Sequence, residues 1–119
     1  MTLETLYEVT ITSTTAGVTD LRLYTPRYDL SLVSVSSATT QTIVLPDAST
    51  AYDKDLTFVK LGSGKVVISA GSTDWIANSA TGGSIYNEEA SETYATLTLK
   101  AIPSASKWLI VGAHGTWRI

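Results

Sequence analysis

Apolar and polar positions alternate along most of this chain, and almost nowhere do they recur at helical spacing. In YEVTITS (7–13), Val9 and Ile11 share one side while Glu8, Thr10 and Thr12 share the other, the period of a half-buried strand. The crowded χ1 of Val, Ile and Thr favours the same conformation. TTAGVTD (14–20) reads as a turn centred on Gly17, and LRLY follows with Leu21 and Leu23 on one face. Pro26 then breaks the ladder, because it has no N–H to donate. In DLSLVSVSS (29–37) the apolar phase changes between Leu32 and Val33, which predicts a bulge or a strand covered on both faces. QTIVLPDAST (41–50) places Ile43 and Leu45 inward and stops at Pro46.

The middle of the chain carries the strongest hairpin signal. DLTFVKL (55–61) and KVVISA (65–70) are joined by Gly62-Ser63-Gly64, whose glycines tolerate positive φ. Two paired strands are expected. GSTDWIANSATGGSIYNEEASE (71–92) is the longest polar stretch and is expected to be a structured loop, with Trp75, Ile76, Ile85 and Tyr86 as its isolated apolar residues. TYATLTLK (93–100) alternates again, with Ala95, Leu97 and Leu99 opposed to Thr96, Thr98 and Lys100. The apolar ending TWRI (116–119) is expected to be pinned as the return strand of a hairpin with SKWLIVG (106–112), placing Trp117 and Ile119 on one face. Together these signals predict an all-β fold, a β-sandwich or jelly-roll-like barrel of about eight or nine short, mainly antiparallel strands. No internal repeat is visible.

Composition narrows the chemistry. A length of 119 residues fits a single domain over 1–119, and the absence of cysteine removes disulfides and thiolate sites. Eight basic residues, scattered singly against eleven acidic ones, do not form the gathered cations that a nucleic-acid surface needs. No run of 18 apolar residues occurs, so no membrane span is expected, and the first residues read as a mature start.

Candidate catalytic groups lack partners at the required spacing. His114 is the single histidine and is expected in a tight turn, with no G-x-S-x-G motif to serve it. Asp47, Asp53 and Asp55 fit turn formation rather than a calcium loop, and Lys54 lies among them. Glu88, Glu89 and Glu92 read as solvated loop residues, and Gly82-Gly83 lacks the lysine of a phosphate loop. No catalytic residue, metal or cofactor is therefore expected. Trp75 and Tyr86 suit either stacking on a sugar or anchoring the loop, whereas Trp108 and Trp117 sit in predicted strands and suit core or subunit contacts.

From about residue 42 onward the order of pieces resembles a recurrent β-domain of tailed-bacteriophage virion proteins. The pieces are Leu45-Pro46, Ala48-Ser49, the strand Leu56 to Lys60, Gly62 to Gly64, Val66 to Ile68, and Gly115 with Trp117. Two stretches depart from the pattern, YDKD (52–55) and Ala113-His114. The resemblance implies a non-enzymatic virion protein on the capsid surface, most simply a homotrimeric decoration protein whose partner is the major capsid protein. A receptor-binding tail-fibre tip that meets a host glycan is the alternative. Residues 41–119 would form the phage-type domain, and 1–40 the N-terminal strands and attachment arm. The expected partner or subunit contacts are Val9, Ile11, Trp75, Tyr86, Trp117 and Ile119.

Overall fold

The structure is a computed structural model that describes residues 7–21, 30–50, 55–71, 74–76 and 83–119. Its strands are β1 (Tyr7–Ile11), β2 (Gly17–Asp20), β3 (Leu30–Val35), β4 (Gln41–Val44), β5 (Asp55–Lys60), β6 (Val66–Ser69), β7 (Trp75–Ile76), β8 (Ser84–Asn87), β9 (Ala95–Ile102) and β10 (Lys107–His114). They form two mixed sheets, one ordered β1-β3-β5-β9-β10-β7 and the other β2-β4-β6-β8. Among the described residues no helix is long and apolar enough to cross a membrane. Leu23, Pro26, Asp53, Lys54 and Gly82 lie outside the described residues.

Strands that follow one another in the chain belong to opposite sheets as far as β6, and each sheet gathers its strands in parallel. The first half of the chain therefore winds as three coils, each giving one strand to each sheet. Register fixes the coil length. Val9 lies beside Val33 and Val33 beside Phe58, while Val18 lies beside Thr42 and Thr42 beside Val67, so positions recur after 24 and then 25 residues. Like positions of the coils stack: Leu21, Leu45 and Ala70 each follow the last residue of their strand, and all three are buried. Inward side chains of both sheets join one apolar cluster in which Trp108 and Phe58 are the largest members.

Three expectations are corrected by this winding. The strands are not mainly antiparallel: among the described residues five strand pairings are parallel and three antiparallel. Period-two alternation reports which face is buried and says nothing about strand direction.

Next, β5 and β6 are not a hairpin, since they lie in different sheets and residues 61–65 arch between them. A Cβ on Gly62 would meet the backbone of Ser37, and one on Gly64 the backbone of Thr39. The glycines serve the close stacking of one arch on the next. Below them the second arch is tied to the first, for Ser37 Oγ donates to the Ser13 carbonyl at 2.7 Å and Gln41 Nε2 to the Thr15 carbonyl at 2.8 Å.

Finally, TWRI is not the return strand of β10. The chain turns at Gly115, whose φ of 103° is the left-handed region that glycine tolerates, and Arg118 pairs with Tyr86 of β8 in the other sheet. Other expectations hold. Both readings of the irregularity expected between Leu32 and Val33 have a counterpart: the register shifts just before Leu32, with Tyr7 opposite Leu30 but Glu8 opposite Leu32, and Val33, Ser34 and Val35 are all buried. Val9, Ile11, Ile43, Leu45, Ala95, Leu97 and Leu99 are all buried. The 71–92 stretch, expected to be a loop, instead contributes the short strands β7 and β8, one to each sheet.

Antiparallel strands end the coil stack, β9 pairing with β5 and β8 with β6. The opposite end of the stack is the first coil, whose β1 and β2 are the edge strands of their sheets.

Candidate functional site

A polar cluster built on a buried charge lies where the coils end. In the column Ile11, Val35, Lys60 the first two coils supply apolar side chains and the third a lysine that is 0% exposed. Its Nζ donates to the carbonyls of Gly62 at 2.9 Å, Glu89 at 2.8 Å and Glu92 at 3.3 Å, one for each of its three protons. Burial pushes the Lys60 pKa down, against the opposing pull of the Glu92 and Glu89 carboxylates.

Glu92 is held by three donors. The Thr116 N–H and the Asn87 side-chain amide reach Oε1 at 2.7 and 2.9 Å, and the Thr116 hydroxyl reaches Oε2 at 2.7 Å. These bonds, with that from the Thr116 backbone largest, hold its carboxyl at about 2 instead of 4.5. Glu89 meets Arg118 at 3.4 Å, and Glu88 is exposed. The three glutamates thus diverge, and two of them fasten the end of the chain.

Elsewhere, the buried Asp74 accepts the Ala48 N–H at 2.9 Å, and the exposed Asp55 pairs with Lys100 at 3.6 Å. Among the described residues no three potential metal ligands cluster. His114 is the exposed last residue of β10 and not a turn residue.

The expected contact residues scatter over the molecule. Val9 and Ile11 point into the core, each 7% exposed. Trp75, 40% exposed, is on β7 in the six-stranded sheet, whereas Tyr86 is on β8 in the other sheet, with the Lys65 ammonium 4.4 Å above its ring. Trp117 packs partly buried against the core and donates its indole N–H to the His114 carbonyl at 3.1 Å, and Ile119 is exposed. Trp108 is fully buried, its indole donating to the Pro46 carbonyl at 3.2 Å.

Two sheet edges stand out instead. Beyond Trp108, β10 exposes Leu109, Ile110 and Val111, the last at 53%, followed by exposed Gly112, Ala113 and His114. Their neighbours on β9 behave differently: Leu99, opposite Ile110, and Leu97, opposite Ala113, are fully buried. The core ends beneath β9, and β10 overhangs it. On its far side β7 pairs only with Lys107 and Trp108 among the described residues. The sequence did hold a sign of this, since Leu109-Ile110-Val111 is the one place where a late strand stops alternating.

At the other edge of the same sheet, the Ile11 carbonyl accepts the Ser36 N–H at 2.8 Å, so Ile11 faces β3. Strand alternation then turns the backbone N–H and C=O of Thr10 outward. No described strand pairs there. Comparison with protein-family models, curated proteins and solved structures found no match for this chain.

Proposed function

We propose that this chain is a structural protein of a tailed-phage virion, a decoration protein that attaches to the head shell and acts by binding alone. The resemblance from about residue 42 onward motivates the virion setting. The observation that supports a binding role is the first coil, whose β1 and β2 stand together as the outer edges of the two sheets. In this reading the sheets stack as a sandwich, and a strand of the coat protein adds to β1 through main-chain hydrogen bonds. Many copies on one shell make weak single contacts sufficient. Val9 and Ile11 are held by the core, so the backbone edge and Thr10 make the contact. A glycan-binding tip would need Trp75 and Tyr86 on one surface, and they belong to different sheets.

Co-sedimentation with empty head shells tests this. Thr10→Pro removes one outward N–H from an edge strand, where proline is tolerated, and spares the ladder to β3. The wild type should pellet with shells, and the variant should bind about tenfold more weakly at an unchanged melting temperature. Equal binding by the variant, or no binding by the wild type, would overturn the reading.

A further inference from the structure

We infer that residues 116–119 are an acid-released strap, a cover on the outer edge of β8 that lifts about Gly115 when Glu92 gains a proton. β8 is the last strand of the four-stranded sheet, and the chain's own end already occupies its outward backbone groups at Tyr86. The Tyr86 N–H donates to the Arg118 carbonyl and the Arg118 N–H to the Tyr86 carbonyl, both at 2.8 Å. Among the described residues this bridge is the strap's one pairing with a strand.

The two sides of this fastening differ in firmness. On the fixed side Lys60 and Asn87 are fully buried. Lys60 Nζ holds the Glu89 and Glu92 carbonyls, the Asn87 side chain accepts the Glu89 N–H at 3.0 Å, and the Glu92 N–H closes the turn on the Glu89 carbonyl at 3.1 Å. On the strap side Thr116 and Trp117 are half-buried, and Arg118 and Ile119 are exposed. The Trp117 indole bonds back across the hinge to His114, so that bond can travel with the strap. Two bonds from Thr116 to the Glu92 carboxylate clamp the strap just beyond the hinge. A proton on Glu92 removes the charge that strengthens both at once. The charged groups around Glu92 are Lys60 of β5, Glu89 of the same turn and Arg118 of the strap, with His114 at the end of β10. Lys60 is bound to backbone carbonyls, which do not titrate, so the turn stays in place as the strap lifts and leaves the Tyr86 N–H and C=O unpaired.

The inference concerns the edge of the four-stranded sheet opposite β2 and stands whether or not the shell-binding reading does. Native-state amide exchange of the full chain tests it. Tyr86 and Arg118 report the bridge, whereas Ile85, opposite Ile68, turns its N–H toward β6 and reports the ladder. At pH 6 the Tyr86 and Arg118 amides should share one protection factor, at least tenfold below that of Ile85 and without its dependence on urea. Between pH 6 and pH 3 their protection should fall about tenfold, in the direction set by protonation of a hydrogen-bonded carboxylate. Glu92→Gln should show low protection at both pH values, and Glu89→Gln should keep the fall. A single protection factor and urea dependence for all three amides would overturn the strap, as would a fall that survives Glu92→Gln or is abolished by Glu89→Gln.

Discussion

Glu92 accepts three hydrogen bonds, two of them from Thr116, and so fastens the last residues of the chain to the turn that precedes β9. A carboxyl whose folded pKa lies below its unfolded value adds stability above the unfolded value and loses it as pH falls toward the folded one. For Glu92 that window runs from 4.5 down to about 2. Urea midpoints should therefore fall between those pH values, and Glu92→Gln should lower the midpoint at pH 7 while flattening the acid dependence. Parallel curves for the two proteins would show that the carboxylate does not hold the chain end.

Only part of this cluster was legible in the sequence. Period two does put Lys60 on the same side as Leu56 and Phe58, so its inward direction was readable. Its three carbonyl partners were not, because two of them come from residues 29 and 32 positions later.

The strands were legible and their partners were not. Alternation marked Val9 and Ile11, Ile43 and Leu45, and Ala95 to Leu99 as inward, because burying one face of a strand leaves a two-residue signature in any sheet. Whether β5 meets β6 or β3 leaves no such trace. Gly62-Ser63-Gly64 misled for a physical reason: glycine is required both for left-handed turns and for close backbone approach, and only contact with Ser37 and Thr39 separates the two. Asparagine does separate them, being accepted in hairpin turns but not where a Cβ strikes backbone. Gly64→Asn should cost roughly 1–3 kcal/mol in chemical denaturation, the range for overpacking a filled site. A neutral result would restore the hairpin. The coil repeat escaped notice because its columns keep shape and not identity, as in Val9, Val33, Phe58 or in Ile11, Val35, Lys60.

As a whole, the molecule is a short stack of coils closed at one end by antiparallel strands and ending at the other in a coil whose two strands are both edges. Stacked coils contact chiefly their neighbours, and among the described residues the first coil has a neighbouring coil on one side only. In the proposed reading the β1 edge of the six-stranded sheet meets the shell. Images of empty head shells saturated with the full chain test this arrangement most directly. The account predicts added density that meets the shell through the first coil. Bare shells, or density attached through β10 with β1 and β2 facing outward, would contradict it.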